Sequence, residues 1–304
     1  MKEKILITGG TGLVGEKLIL LLLQKGYTVG VLTRGTSRKE NEIQYYNWDI
    51  RQKSIDPDAF KDVTFIINLA GAGVADEKWT EKRKSVIMNS RTDSTRLLFD
   101  TVKELKVNLK GFISASAIGI YGNFEGSELK IETSPFGDDF LAQVVIAWEK
   151  EANQFNTLGI RTVLMRIGVV LDSSGGALEK IARPIRFGVG APLGSGDQYM
   201  SWVHIDDLCN MFLWAIQNEA VEGSFNAVNP NPVTNKEFTK AVAKTLKKPL
   251  LLPNVPSFVL KLMLGEMSSI VLGGSVVSDQ KLKNHGFKHQ YEQLLPAIHN
   301  LLKD

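Results

Sequence analysis

The sequence of 304 residues contains a single cysteine, Cys209, and therefore cannot form an internal disulfide. Disulfides are rare in reducing compartments, so this scarcity fits a protein of such a compartment. Cys209 lies in HIDDLCNMFLWAI (204–216), an apolar stretch with helical spacing. We interpret it as a buried residue that fills space.

An excess of charge of one sign is also missing. The 36 lysines and arginines outnumber the 33 aspartates and glutamates by only three, and no basic run forms a stripe suited to a phosphate backbone. Nucleic acid is therefore not an expected partner. The longest apolar runs, such as LILLLL (18–23), are far shorter than the roughly 20 residues that cross a bilayer. With neither a membrane segment nor a recognisable signal peptide, the expected location is the cytoplasm.

Short apolar runs and helical patterns alternate along the first two thirds of the chain. KILIT (4–8) and TVGVLT (28–33) predict strands, and an apolar helix over 14–25, closed by Gly26, joins them into a βαβ unit. Further strands are predicted at 64–71, 111–117 and 161–171, and further helices at 80–104 and 140–156. This alternation predicts a parallel sheet with helices on both faces.

After residue 171 the pattern changes. DSSGGALEK (172–180) and FGVGAPLGSGDQ (187–198) are glycine-rich connections, typical of loops that line a cleft. Helices are predicted at 234–247, 256–264 and 290–302. The expected architecture is α/β: a Rossmann-type doubly wound parallel sheet over 1–228, with cleft loops at 172–207, and a small C-terminal substrate lobe over 229–304.

The stretch TGGTGLVG (8–15) follows the first strand and opens the first helix, as a dinucleotide-binding glycine loop requires. Gly9 permits the tight turn, Gly12 lets backbone approach a pyrophosphate, and Gly15 allows close helix–strand packing. The helix N-terminus then presents free N–H groups and a positive dipole end to phosphate. The predicted cofactor contacts of this loop are Gly9, Thr11, Gly12, Leu13, Val14 and Gly15. The alternative is a glycine-rich turn without a ligand.

The end of the second strand distinguishes NAD from NADP. NAD sites commonly place an acid there for the ribose 2′-hydroxyl, whereas VLTRGTSRK (31–39) has Thr33 and Arg34 and no carboxylate. The planar guanidinium of Arg34 suits a 2′-phosphate, which predicts NADP(H) as the cofactor. The alternative is a solvated basic loop.

Two further strand ends supply predicted cofactor contacts. Asp49 falls where the third strand should end and is placed to accept a hydrogen bond from adenine, although an ordinary loop carboxylate is nearly as good an interpretation. NLAGAG (68–73) ends the next strand with small residues. There, Leu69, Ala70 and Gly71 would let backbone lie against the cofactor, the alternative being a tight helix–strand corner.

Several motifs together resemble the extended and atypical short-chain dehydrogenase/reductase superfamily, and more closely its bacterial NAD(P)-dependent epimerase/dehydratase-like group with an additional C-terminal domain. Besides the glycine loop, they are NLAGAGVADEKWTEKRKSVIMNSR (68–91), SASAIGIYG (114–122), RIGVVLDSSGGALEK (166–180), GAPLGSGDQYMSWVHIDD (190–207), FNAVNPNPVTNKEF (225–238) and PSFVLKLMLGEMSSIVLGG (256–274). The resemblance implies that Ser90 and Arg91 close the helix after NLAGAG near the cofactor. Arg91 then contacts phosphate or, equally well, caps or pairs on a helix face.

The superfamily usually transfers hydride with the help of a hydroxyl residue and a Y-x-x-x-K pair, and this chain departs from that scheme. SPFGDDFLAQVVIAWEKEA (134–152), where the pair should lie, has no tyrosine, and Ile146 stands four residues before Lys150. Counted back from Tyr121, the expected hydroxyl position is Ala117. Ser116, one residue earlier, can serve if the strand end is bulged, and otherwise ties a strand terminus.

The predicted proton donors are accordingly Ser116, Tyr121 and Tyr199, with a substrate-contacting or structural role preferred for Tyr121. In WVHIDD (202–207), a histidine beside two aspartates invites a metal interpretation, but no further ligands follow at a suitable spacing. We expect no metal, and instead interpret Asp206 as a helix N-cap and His204 as a buried structural partner.

These residues predict an NADP(H)-dependent oxidoreductase or epimerase-like enzyme that acts on a small carbonyl or sugar-like substrate. The missing Y-x-x-x-K motivates an alternative, a regulatory protein that binds NADPH without turnover. A weaker alternative is a sugar-nucleotide epimerase with an unrecognised base. The expected partner is a small-molecule substrate.

Overall fold

A computed structural model describes residues 2–123 and 127–303 of the chain. Within them a nine-stranded sheet has eight strands in the order β13-β9-β7-β6-β1-β2-β4-β3, with β5 paired to β4. Its strands are β1 (Lys4–Thr8), β2 (Thr28–Thr33), β3 (Arg38–Glu40), β4 (Ile43–Asp49), β5 (Ser54–Ile55), β6 (Val63–Asn68), β7 (Gly111–Ala117), β9 (Thr162–Ile167) and β13 (Gly223–Ala227). Three two-stranded sheets are formed by β8 (Leu129–Lys130) with β15 (Val276–Val277), β10 (Val169–Leu171) with β12 (Trp202–His204), and β11 (Tyr199–Met200) with β14 (Val233–Thr234).

The helices flank this sheet and extend into the C-terminal part. They are α1 (Leu13–Gln24), α2 (Glu81–Glu104), α3 (Phe140–Ala152), α4 (Gly176–Arg186), α5 (Ile205–Gln217), α6 (Asn235–Thr245), α7 (Ser257–Leu264), α8 (Ser269–Leu272), α9 (Gln280–Asn284) and α10 (Leu294–Leu302). Short 3₁₀ helices lie at Pro57–Phe60, Ile118–Tyr121, Asn153–Leu158 and Gly265–Ser268. In the described ranges, no helix is long and apolar enough to cross a membrane.

The order of the central strands places the binding crevice. Strand β1 pairs in parallel with β2 on one side and with β6 on the other, so the chain winds outward in both directions from β1. At such a reversal the loops after neighbouring strands diverge and leave a crevice at the carboxyl ends. The predicted doubly wound Rossmann-type fold is confirmed, and the crevice lies between the ends of β1 and β6.

Helix α1 follows the predicted pattern. It starts at Leu13, one residue before the predicted boundary, and it buries Leu18 and Leu22 completely. The chain leaves the helix through Gly26, whose φ is 85°. Glycine adopts this left-handed conformation without the steric cost that a side chain would add.

Two predicted elements differ from the structure in more than the position of their ends; others, such as the strand predicted at 64–71, which ends at Asn68, and the helix predicted at 290–302, which begins at Leu294, differ in their bounds. The stretch 161–171, predicted as one strand, divides at Gly168 into β9 and β10, and β10 leaves the main sheet to pair with β12. A Cβ atom at Gly168 would lie 2.4 Å from the Ser201 carbonyl oxygen, so the bend brings two backbones into close contact. The loop predicted at 172–180 contains the start of α4, whose N-cap is Gly175.

Candidate functional site

The glycine loop is packed so closely that only glycine fits at two positions. Gly9 has a φ of 68°, and a Cβ atom there would lie 2.8 Å from the carbonyl carbon of Leu69. A Cβ atom at Gly15 would lie 2.3 Å from the Gly9 oxygen. The Gly12 N–H donates to the Gly9 oxygen at 3.0 Å, which closes the turn ahead of α1. The roles predicted for Gly9 and Gly15 thus have a direct steric basis.

The N-terminus of α1 is open toward the crevice. Its N-cap, Gly12, offers no side-chain acceptor, and the first helical bond runs from the Glu16 N–H to the Gly12 oxygen at 3.0 Å. The N–H groups of Leu13, Val14 and Gly15 therefore have no partner inside the helix. Such a set of donors, with the helix dipole behind it, fits the pyrophosphate of a dinucleotide.

A buried hydrogen-bond cluster fixes the segment that faces this loop. The Thr8 hydroxyl donates to Asn68 Oδ1 at 2.7 Å and accepts the N–H groups of Leu69 and Ala70, both at 3.0 Å. Thr8 and Asn68 are both fully buried. The cluster places the predicted Leu69 and Ala70 beside the glycine loop. Sequence reasoning did not single out Asn68, although a polar residue ending an apolar strand was a visible signal.

Arg91 lies beside Gly71, inside α2 rather than at its end as the resemblance implied. A Cβ atom on Gly71 would lie 2.9 Å from the guanidinium carbon of Arg91. The same carbon lies 5.2 Å from the centroid of the Trp148 ring. One nitrogen donates to the carbonyls of Ala72 and Ile87, and no described carboxylate pairs with the side chain. Burial, together with repulsion from Arg83, lowers the pKa of Arg91 to about 10. An unpaired, largely buried cation beside the crevice fits an anionic ligand group.

At the far end of the crevice, the Arg34 loop follows β2. The Arg34 side chain is exposed and makes no hydrogen bond or ion pair to any described residue. Thr33 Oγ1 accepts the Gly35 N–H at 3.2 Å. Asp49 ends β4 as predicted, and its Oδ1 accepts the N–H groups of Arg51 and Gln52. Its predicted contact with adenine stays a prediction.

Ser116 forms a buried chain of contacts with residues that sequence reasoning did not connect. Its hydroxyl donates to Glu149 Oε1 at 2.6 Å, and Arg166 donates to both oxygens of Glu149, at 2.8 and 2.9 Å. The bulged strand end is not found, because β7 pairs with β9 without a register shift through Ala117 and then enters a 3₁₀ turn. Glu149 was visible only as a charged residue within an apolar helix, which gave no sign of its partners.

Tyr121 is held in the same cluster from the other side. Arg166 donates to its hydroxyl at 3.0 Å, and the hydroxyl donates to Asn226 Oδ1 at 2.6 Å. Only 4% of the residue is exposed, and burial raises the pKa of its hydroxyl despite the nearby Arg166 charge. Tyr199 is half-buried on β11, and no described residue hydrogen-bonds to its hydroxyl. The structure therefore joins Ser116 to Tyr121 through Arg166 but leaves Tyr199 outside the cluster.

His204 has a structural environment. Its Nδ1 accepts the Asp206 N–H at 3.1 Å, so His204, not Asp206 as predicted, caps α5. Its Nε2 lies 3.2 Å from the Asn300 side-chain oxygen, and its ring stacks on Tyr291. Among described residues, no cluster of three potential metal ligands is present.

We expect this histidine to make stability depend on pH. Burial lowers the folded-state pKa of His204 below 6.5, against the attraction of Asp206. The stabilisation is therefore fully present above pH 6.5 and is lost as the pH falls below it, by up to about 1.4 kcal/mol per pH unit. Urea unfolding between pH 7.5 and 5 measures this slope. His204→Asn, which keeps a capping side chain, should flatten it, and exposed His299→Asn should not; equal slopes in all three proteins would contradict the assignment.

Comparison with known proteins agrees with this geometry. The family model for the NAD dependent epimerase/dehydratase family matches residues 5–229, and a domain of unknown function, DUF1731, matches residues 255–301. The epimerase family protein YfhF of Bacillus subtilis is 35% identical over 301 residues, covering 99% of this chain and 98% of the relative. The chain belongs to the NAD-dependent epimerase/dehydratase family.

Solved structures of other proteins share the fold. The human epimerase family protein SDR39U1 (isoform 2), solved with NADPH, aligns with a TM-score of 0.87 at 28% identity, over 98% of both chains. The UDP-glucose 4-epimerase of Thermus thermophilus, solved with NAD, aligns with a TM-score of 0.76 at 22% identity, over 97% of this chain and 98% of that one. The crevice described above belongs to a nucleotide-binding fold, and a nicotinamide cofactor is supported.

Proposed function

We propose that this protein is an NADP(H)-dependent oxidoreductase or epimerase-like enzyme that acts on a small carbonyl or sugar-like substrate. The observation that carries the proposal is the glycine loop, where free N–H groups of α1 face the small residues after β6. A bound nicotinamide supplies two-electron hydride chemistry, and the protein binds, orients and exchanges a proton.

The preference for NADP(H) rests on Arg34. It is a free cation directly after β2, where a 2′-phosphate would meet it, and the described part of the loop has no acid to accept a ribose 2′-hydroxyl. The human neighbour's NADPH adds support, whereas NAD occurs in the Thermus structure.

Proton exchange is assigned to Ser116. Arg166 cannot conduct a proton between Glu149 and Tyr121, because a guanidinium does not lose its proton in proteins. The Ser116 hydroxyl donates its one hydrogen bond to Glu149, so its lone pairs stay available to accept from a substrate hydroxyl; a proton leaving the substrate would pass to Ser116 as the Ser116 proton passes to Glu149. Tyr121 then serves as a support for Arg166, which in turn holds Glu149.

Titration calorimetry with NADPH and NADH tests the cofactor assignment. We expect tighter binding of NADPH, and an Arg34→Ala protein should lose about 10- to 100-fold of that affinity, because a charge-assisted contact to phosphate is removed. Its NADH affinity should not change. Lys39→Ala is the matched control, because it removes an exposed charge from the hairpin of β3 and β4 that follows the Arg34 loop. Equal NADPH binding by wild type and Arg34→Ala would show that this loop is exposed to solvent and does not contact the cofactor.

Two observations favour a second candidate, an NADPH-dependent regulatory protein without turnover. Ser116 and Tyr121 are both engaged by protein partners, and the Y-x-x-x-K pair is missing. A panel of carbonyl compounds and nucleotide sugars, assayed by NADPH absorbance, separates the candidates. Turnover that Ser116→Ala abolishes supports the enzyme, whereas no turnover together with a partner whose affinity depends on NADPH supports the regulator.

A further inference from the structure

The loop that carries Arg34 is braced from the neighbouring strand. Strand β4 runs parallel to β2, and their register sets Asn47 directly beside Thr33. The Asn47 side-chain amide donates to the Gly35 carbonyl at 2.7 Å, while the Gly35 N–H donates to Thr33 Oγ1 at 3.2 Å. The Gly35 N–H and carbonyl, which directly follow Arg34, are thus both fixed to strand residues.

A second contact extends the brace along the loop. The backbone N–H of Asn47 donates to Ser37 Oγ at 2.9 Å, and that hydroxyl donates to Asp56 Oδ2 at 2.8 Å. Asn47 therefore holds the loop at both Gly35 and Ser37. Arg34, whose side chain is exposed, directly precedes this fixed segment.

The next arginine along the chain, Arg38 on β3, is already engaged. The Arg38 guanidinium lies 4.2 Å from the centroid of the Tyr45 ring, and its Nε is 3.4 Å from a carboxylate oxygen of Glu40. Arg34 has no such partners among the described residues. The hydrogen bonds of Asn47 therefore hold Arg34, which has no protein partner among the described residues, close to the end of β2.

We propose that Asn47 is a positioning residue for cofactor choice, which sets the preference for a 2′-phosphorylated nucleotide by holding Arg34 in place. This inference rests on the function proposed above. An exposed arginine on an unbraced loop loses backbone and side-chain freedom when it binds phosphate, and a loop ordered beforehand avoids part of that cost. A ligand without the 2′-phosphate gains nothing from the brace, so the effect of Asn47 should appear only with NADPH.

The test compares NADPH and NADH binding by calorimetry in wild type, Asn47→Ala, Arg34→Ala and the double variant. We expect Asn47→Ala to weaken NADPH binding about three- to tenfold, at most the size of one lost hydrogen bond, with NADH affinity unchanged and the thermal midpoint lowered by no more than about 2–4 °C. In the Arg34→Ala background the same substitution should have no further effect, because residues acting through one contact are not additive. Gln44→Ala is the matched control, since its amide donates to the carbonyls of Arg38 and Tyr45 on the same hairpin and not to the Arg34 loop.

The outcomes distinguish this inference from the proposed function. An unchanged NADPH-to-NADH ratio in Asn47→Ala, an equal loss of both nucleotides, or a loss that persists without Arg34 overturns the role of Asn47 and leaves the NADP(H) proposal standing. A wild-type protein that binds neither nucleotide, or does not prefer NADPH, removes the proposed function and this inference together.

Discussion

Replacing Arg166 with methionine is expected to lower the free energy of unfolding by about 3–5 kcal/mol, because it leaves a buried carboxylate without its counter-ion. The side chains of Arg166 and Glu149 are only 4% and 7% exposed. Arg166 also donates to the Tyr121 hydroxyl and to the Glu132 carbonyl, at 3.0 and 2.8 Å. One substitution therefore releases β9, α3 and the turn at Tyr121 together.

Urea unfolding at pH 7, followed by circular dichroism, measures this loss. Arg161→Met is the matched control. Among the described residues, that arginine donates to the carbonyls of Val221 and Ala215 and to no carboxylate, so its removal leaves no charge unpaired and should cost about 1–2 kcal/mol. Combining Arg166→Met with Glu149→Gln should recover part of the stability, since the unpaired charge is then gone. A single variant no weaker than Arg161→Met, or a double variant no more stable than the single one, would contradict the argument.

The elements that sequence reasoning predicted well are those whose signal is local. The βαβ unit over 4–33 combines an apolar strand, a glycine loop and an apolar helix closed by glycine, and each signal lies within a few residues of the structure it determines. The break at Gly168 could not be found in this way. It depends on the carbonyl of Ser201, which is distant in sequence and close only after β10 has paired with β12.

In the candidate site, too, some residues have a local signal in the sequence and others meet only through contacts distant in sequence. Apart from Arg91, the predicted cofactor residues lie at or just after the ends of strands, and strand ends are visible in the sequence. Ser116, Glu149 and Arg166 come from β7, α3 and β9, and their association depends on how α3 packs against the sheet. A search for Y-x-x-x-K finds nothing in α3, because this helix has no tyrosine, and the pattern gives no signal for Glu149.

The largest effect on cofactor binding is expected from Gly15→Ala. The new Cβ atom would lie 2.3 Å from the Gly9 oxygen and 2.7 Å from the Gly10 Cα, so α1 and the loop must separate. Gly9 has little room to move away, because it is packed against Leu69: a Cβ atom added to Gly9 would lie 2.8 Å from the Leu69 backbone. The N–H groups of Leu13 and Val14 then no longer converge on one point, and NADPH binding should weaken by roughly 100-fold, or about 2.7 kcal/mol.

Gly26→Ala, at the other end of the same helix, separates lost binding from lost stability. Gly26 has a φ of 85° and open space around it, so alanine there adds backbone strain of about 1 kcal/mol and no clash. Calorimetry with NADPH, alongside thermal unfolding of both variants, should show destabilisation in each and a loss of binding only in Gly15→Ala. Undiminished NADPH binding by Gly15→Ala would mean that the N-terminus of α1 is not where the nucleotide's phosphates lie.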